Sequence, residues 1–157
     1  MSYATIIRAT LDHLDLLVPL FDGYRQFYRQ PSDPAGAHQF LFERLDNDDS
    51  VIFLALQADR GAGFMQLYPA FSSVSMQRVW LLNDLFVDPS ARGLGVGATL
   101  LHRAHSWALE TAAKGLVLET EVTNTTAQHL YEKLGWQRDL SSYHYALNVT
   151  MEERAGE

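Results

Sequence analysis

No cysteine occurs anywhere in the 157 residues. That absence removes disulfides, thiolate zinc sites, iron–sulfur clusters and a cysteine nucleophile from consideration. Basic residues are scarce as well, with 12 Lys and Arg against 19 Asp and Glu, for a formal net charge of −7. A surface that tracks nucleic-acid phosphates needs clustered Lys and Arg, so no nucleic-acid partner is expected, and the acidic balance leans toward a cationic small molecule. Long apolar runs are missing too. Leu16–Leu20 is interrupted by Pro19, and it and Val51–Leu56 fall far below the ~20 residues that cross a bilayer. Arg8, Asp12, His13 and Asp15 break up any signal-peptide core near the start. A cytoplasmic protein with no membrane partner is the expectation.

What is present is an ordinary globular balance, 47% apolar and 20% charged, in a chain long enough to bury one core. There is no repeat, low-complexity stretch or linker, so residues 1–150 read as a single domain and 151–157 as a frayed acidic tail. Ala4–Arg8 reads as a first strand. Thr10 offers an N-cap, and Leu14, Leu17, Val18, Phe21, Tyr24 and Tyr28 recur at helical spacing. This predicts an amphipathic helix over Leu11–Tyr28, kinked or split at Pro19. After a turn at Gln30–Pro34, Ala35–Leu45 reads as a second helix. Val51–Gln57, Ala62–Tyr68 and Arg78–Val87 follow as strands of an antiparallel meander, with Pro69–Ser75 a polar loop.

Beyond Val87 the pattern changes. Val96, Leu100, Ala104, Trp107 and Ala108 mark the buried stripe of a long helix reaching Lys114, with Gly115 expected to close it. Leu116–Thr120 is expected as a strand parallel to Arg78–Val87 through a right-handed crossover. Thr125–Leu134 reads as a short helix stopped by Gly135, and Trp136–Arg138 and Tyr143–Val149 as closing strands. The class is α/β, with a mixed, mostly antiparallel central sheet of about seven strands flanked by about four helices.

The most informative segment is Arg92-Gly93-Leu94-Gly95-Val96-Gly97-Ala98, with three glycines in five residues between a strand and a long helix. Glycines let a ligand approach the backbone, and the unpaired N–H groups at a helix start favour anions. An acidic protein can therefore still hold a polyanionic cofactor. No Gly-Lys-Ser/Thr follows, which excludes a Walker A loop. Gly93, Gly95 and Ala98, with Glu119 some way downstream, formally match a dinucleotide fingerprint. In that fingerprint, however, the first glycine follows its strand almost directly, whereas Asp88–Arg92 intervene here. A turn that only eases helix–strand packing needs one glycine rather than three.

Arg92-Gly93-Leu94-Gly95-Val96-Gly97 resembles the (Arg/Gln)-x-x-Gly-x-(Gly/Ala) pyrophosphate loop of the GCN5-related N-acetyltransferases (GNAT). A second block agrees. Asn124, Ala127 and Tyr131-Glu132-Lys133-Leu134-Gly135-Trp136 resemble that family's Asn-x-x-Ala-x-x-x-Tyr-x-x-x-Gly-aromatic segment. The wording is nearest to small enzymes of the polyamine and histone type, and the expected element order agrees over nearly the whole chain. The resemblance implies a GNAT-like sheet, acetyl-CoA as cosubstrate with no metal, and direct attack of an amine on the thioester in a ternary complex. The missing cysteine suits a route with no acyl-enzyme.

On that resemblance, the backbone of Arg92–Ala98 (Arg92, Gly93, Gly95, Val96, Gly97 and Ala98) holds the pyrophosphate. Leu85, Phe86 and Val87 pair with the pantetheine arm and offer an N–H to the thioester oxygen. Asn124 and Ala127 complete the cofactor set. Tyr131 aligns with the general acid, and a phenol of pKa about 10 is protonated at neutral pH. For the base that deprotonates the amine, Asp84, Glu119 and Glu121 stay open, with Asp84 and Glu119 placed with Tyr131 in the catalytic set. Asn83 and Asp84 are expected on opposite sheet faces. Polyamine-acetylating relatives carry Glu where Asn83 stands, which loosens any carry-over of diamine specificity.

Tyr24, Phe27 and Tyr28 are candidates to wall an acceptor pocket. His102 and His105 lie off the buried stripe of their helix, and with His129 read as solvated rather than metal-binding. The partner is a small-molecule or peptide amine, and the terminal strands offer a surface for a homodimer. Two rival readings remain: a non-catalytic acyl-CoA-sensing module, which needs the glycine loop but no acid or base, and a nucleotide-dependent oxidoreductase.

Overall fold

The structure is a computed structural model that describes residues 3–156. Met1, Ser2 and Glu157, the ends of the expected domain and tail, lie outside the described residues. The chain forms two compact units that divide after Glu121.

The first unit is built on a sheet of order β1-β2-β3-β4-β5. Its strands are β1 (Thr5–Arg8), β2 (Val51–Gln57), β3 (Arg60–Ser72), β4 (Gln77–Val87) and β5 (Gly115–Val117). β1 to β4 are antiparallel neighbours, and β5 pairs parallel to β4 through Val79–Leu81. The meander and the parallel crossover therefore form as expected. β3 is longer than its apolar run because Pro69 does not end it. β2 stops pairing at Leu67, so the rest of β3 has β4 on one side only, a place where proline is tolerated.

β2 is apolar from Val51 to Leu56 because both of its faces are covered. Ile52 and Leu54 join a core with Leu14, Leu17, Leu20 and Phe21 of α1 (Leu14–Phe27) and Ala37 and Leu41 of α2 (Pro34–Asp46). Phe53, facing the other way, meets Trp107 of α3 (Val96–Glu110) edge-on at 5.8 Å. α1 runs unbroken through Pro19. The split falls earlier, where Leu11–His13 forms a 3₁₀ turn started by Thr10 and its capping box with His13.

Helix ends corrected the sequence reading most usefully. α3 stops at Glu110, and Ala112 rather than Gly115 takes the left-handed position after it, at φ 52°. The Ala112 and Ala113 N–H groups donate back to Leu109 and Ala108 in a Schellman closure. Arg29 after α1 and Asp48 after α2 end their helices in the same way. Three non-glycine residues thus occupy a conformation that glycine accepts more cheaply. The sequence signal for a helix end was missing, and Gly115 opens β5 instead.

The second unit holds α4 (Thr125–Lys133) and α5 (Met151–Ala155), the latter begun by a capping box between Thr150 and Glu153. Trp136–Arg138 and Tyr143–Val149, expected as strands, have no ladder partner among the described residues. The sheet accordingly has five strands rather than about seven, and the described α-helices number five rather than about four. Alternating Tyr143, Tyr145 and Leu147 supply a period-two signal, but all three are exposed. Such a pattern becomes a strand only with a covered face and a hydrogen-bonding neighbour.

Replacing Ala112 with glycine relieves the left-handed strain and should raise stability by about 1 kcal/mol. Urea unfolding measures it, and a stability loss would contradict the assigned helix end.

Candidate functional site

The β3–β4 ladder slips once. Gln66 pairs with Asp84 but Leu67 pairs with Leu82, so Asn83 is an extra residue, a β-bulge. The bulge overturns the expectation that Asn83 and Asp84 point to opposite faces. Asn83 Nδ2 donates to Asp84 Oδ1 at 2.7 Å. Strict alternation fails here because the unpaired residue resets the phase of the strand.

Asp84 is 2% exposed. Its second oxygen accepts from Gln66 Nε2 at 2.5 Å, and Gln66 Oε1 in turn accepts from Ser50 Oγ at 2.8 Å. The carboxylate, which only accepts, fixes which way the Gln66 amide faces, and the Ser50 hydroxyl donates to the oxygen left on the other side. Tyr24 donates its hydroxyl to the Asn83 carbonyl at 3.1 Å. Burial pushes the Asp84 carboxyl above the ordinary range, opposed by hydrogen bonds from Gln66 and Asn83. Burial and the Asp84 charge raise the phenols of Tyr24 and Tyr68, which stay protonated donors.

Asp84 lies at a cavity of about 410 Å³ with Phe21, Tyr24, Phe40, Tyr68 and Asn83, edged by Arg25 and Asp33. The α1–α2 connection beside it is held by a second buried acid. Asp22 accepts from Ser32 Oγ (2.7 Å), the Asp33 N–H (2.7 Å) and Gln26 Nε2 (3.0 Å). The Ser32 and Asp33 bonds hold the Asp22 carboxyl below its usual value. Of the expected pocket aromatics, Tyr24 lines the cavity and Tyr28 meets its ring edge-on at 5.1 Å. Phe27 is exposed.

Directly after Asp84, β4 continues through Leu85, Phe86 and Val87, and a 3₁₀ turn over Pro89–Ala91, capped by Asp88, leads into the glycine loop. Arg92 Nε donates to the Val87 carbonyl at 3.0 Å, and its guanidinium lies over Phe86 at 5.6 Å, folding the loop back on the strand. Gly93 and Gly95 sit at φ 78° and 81°, with nothing within 4 Å of where a Cβ would stand. Gly95 is the N-cap of α3 and gives no side-chain cap, so the N–H groups of Val96, Gly97 and Ala98 lack helical partners. An unoccluded loop of inward-free N–H groups at a helix start has the chemistry to take a pyrophosphate.

In the second unit, Asn124 caps α4 by accepting from the Ala127 N–H at 3.3 Å. The other half of the motif ends the same helix. Gly135 is left-handed at φ 95°, its N–H donates to Glu132, and the Trp136 N–H reaches back to Tyr131. The Tyr131 and Trp136 rings lie 6.0 Å apart. Tyr-x-x-x-Gly-Trp is thus a complete Schellman stop with its hydrophobic contact, which fixes the half-buried Tyr131 at the last turn.

Glu119 falls beyond β5 and is exposed, while Glu121 pairs with Arg29 at 3.0 Å. His102, His105 and His129 are exposed, and among the described residues no group of three or more His, Asp or Glu is placed to hold a metal. No described helix is long and apolar enough to cross a membrane. Gln66, Ser50 and Tyr68 escaped the sequence reading. The signal for Gln66 was a lone amide inside the run Phe64-Met65-Gln66-Leu67, a buried polar group in need of a partner.

Residues 17–136 match the model of the Acetyltransferase (GNAT) family. The chain is 51% identical over 133 residues to the uncharacterised N-acetyltransferase YhfO of Bacillus subtilis (strain 168), covering 85% of this chain and 89% of that protein. It is 33% identical over 115 residues to a probable acetyltransferase of Haemophilus influenzae, covering 73% and 79%. The crystal structure of a probable acetyltransferase, 46% identical, superposes with a TM-score of 0.88 over 93% of this chain and 98% of the other.

The raised Asp84 value has a stability consequence of fixed sign. The folded chain holds that proton more tightly than the unfolded one, so the contribution is present below the ordinary Asp pKa of about 3.9 and is lost as pH rises through the folded value. The stability of the wild type relative to Asp84→Asn should fall over that window. A pH-independent difference in urea midpoints would contradict a desolvated carboxylate.

Proposed function

The chain belongs to the acetyltransferase (GNAT) family and is an N-acetyltransferase. Taking that as the premise, we propose that it moves an acetyl group from acetyl-CoA to the primary amine of a small molecule or peptide, by direct attack in a ternary complex. The observation that carries the reading is the order of parts along β4. A buried carboxylate at a cavity, Asp84, is followed on the same strand by Leu85–Val87 and, past the 3₁₀ turn Pro89–Ala91, by the open glycine loop at the start of α3.

Acetyl-CoA supplies an activated thioester when bound. The loop from Arg92 to Ala98 fits its pyrophosphate because the left-handed glycines leave space and the first-turn N–H groups of α3 face no capping side chain. The net charge of −7 is no obstacle, since the anion is met by backbone dipoles rather than by a basic surface. Leu85, Phe86 and Val87 would align the amide arm as a neighbouring strand does.

The acceptor nitrogen must lose a proton before it has a lone pair to donate. Asp84 is the base this reading favours over Glu119, because it is buried at the cavity with a raised proton affinity, which matches a proton acceptor to its task. Gln66 and Asn83 hold its two oxygens and so fix the direction of transfer. As the new C–N bond forms and the C–S bond breaks, the departing sulfur takes a proton. Tyr131, fixed by its helix stop, is the donor named by the motif, with Asn124 and Ala127 ordering the start of the same helix.

The test follows thiol release from acetyl-CoA over a panel of primary amines. Gly97→Leu leaves α3 a good helix former, so the fold should persist while acetyl-CoA no longer raises the melting temperature. Tyr131→Phe should lower kcat by about 100-fold or more. Equal rates would remove Tyr131 from the mechanism, and no release with any amine would overturn the proposal.

A further inference from the structure

Among neutral hydrogen-bond donors, Asp84 is well served; among cations, it has none. Gln66 Nε2 and Asn83 Nδ2 each hold one oxygen, and neither brings a positive charge. The Gln66 amide cannot turn over, because an ionised carboxylate only accepts and so needs the NH₂ facing it, while the Ser50 hydroxyl donates to the amide oxygen on the other side. The nearby guanidinium groups are engaged elsewhere. Arg25 Nη1 donates to the Pro31 carbonyl at 3.1 Å, and Arg44 pairs with Asp49 at 3.0 Å while lying over Phe40. No ion pair to Asp84 occurs among the described residues. A carboxylate accepts up to about four hydrogen bonds, so lone pairs remain at this one.

The cavity that Asp84 lines is also lined by four aromatic side chains. Phe21 and Phe40 stack at 5.5 Å, Tyr24 sits 6.2 Å from Phe21, and Tyr68 completes the lining. Aromatic faces attract cations as well as apolar bodies. The remaining charged lining, Arg25 and Asp33, cancels, leaving Asp84 as the uncompensated charge. Asp33 is itself turned to the Gly36 N–H as the cap of α2. The wall is also prearranged, since Asp22 ties down Ser32 and the Asp33 backbone. Its volume of about 410 Å³ stands near the lower end of ligand cavities, about 300–1,000 Å³.

Resting on the amine-acylation reading above, we propose that the acceptor is a compact small-molecule cation: its ammonium sits on Asp84 and its flat or apolar body lies against Phe21, Tyr24 and Tyr68. Ser50 and Gln66 act as positioning residues that keep the carboxylate aimed and ionised for it. An ammonium carries three donors and the one charge the cavity lacks. A neutral molecule of the same shape leaves the buried charge uncompensated, and an anion meets Asp84 directly.

The experiment is calorimetric titration of the full chain with benzylamine, benzyl alcohol, phenylacetate and a tripeptide with uncharged side chains and a free N-terminal ammonium. Benzylamine should bind about tenfold or more tighter than benzyl alcohol, and phenylacetate should not bind. Asp84→Asn should erase the preference for the amine without weakening the alcohol, and Ser50→Ala should reduce it several-fold. The wild type gives the same readout should Asp84→Asn not fold. Benzylamine affinity should fall as pH drops through the Asp84 pKa, while that of benzyl alcohol stays flat. Equal affinities for amine and alcohol, no detectable benzylamine binding, or tighter binding of the tripeptide would each overturn the proposal. Charge-selective binding with no thiol release from any amine overturns the transfer reading alone, and thiol release without charge selectivity overturns this one alone.

Discussion

A carboxylate removed from water on a strand must be held by something, and here neutral groups hold it. Asp84 is fixed by Gln66 across the β3–β4 ladder and by Asn83 beside it, and Gln66 is fixed by Ser50. An unpaired buried charge costs several kcal/mol, so this chain of bonds constrains the local fold as well as the chemistry. It requires the bulge that turns Asn83 toward Asp84, a polar position inside an apolar strand, and a tyrosine on α1 that stays protonated. What the described residues do not provide is a counter-cation, and the proposed preference for a cationic acceptor rests on that.

The same strand connects two opposite electrostatic problems. At Asp84 the protein presents a negative charge with little solvent to screen it, suited to an amine. A few residues later it presents unpaired N–H groups at the start of α3, suited to an anion. Side-chain charge serves the first and backbone dipoles the second, so the acidic composition and a polyanionic cosubstrate do not conflict. The two are joined by the end of β4, the 3₁₀ turn Pro89–Ala91 and the glycine loop, which Arg92 folds against Val87. Their spacing is therefore set by a short stretch of ordered backbone rather than by flexible side chains.

Much of this was legible in the residues. The meander, the parallel crossover and the glycine loop followed from hydrophobic period and turn chemistry, and the family followed from two spaced motifs. The losses share a cause: each depended on a partner that local pattern does not encode. Asn83 and Asp84 alternate on paper, and only pairing against β3 reveals the bulge. Ala112 carries no stop signal, yet packing ends α3 there and forces it left-handed. Tyr143–Val149 has a strand's alternation and no ladder to join. Gln66 was the one missed functional residue with a visible sign, a single amide among large apolar neighbours. Conversely, Gly135 and Trp136 were read as part of a catalytic motif, and the structure also gives them a local duty in stopping α4. Family motif and helix stop coincide in the same residues, so the motif specifies the orientation of Tyr131 as well as its identity.

The central claim is that Asp84 is desolvated, held by neutral donors and ready for a cation. Carbon-13 NMR of the side-chain carboxyl groups, titrated from acid to neutral pH, reads this group directly. The account predicts that the Asp84 resonance titrates above the ordinary Asp value of about 3.9 and that a saturating cationic amine moves its midpoint down. A midpoint at or below that value in the free protein, or one indifferent to the amine, would contradict it.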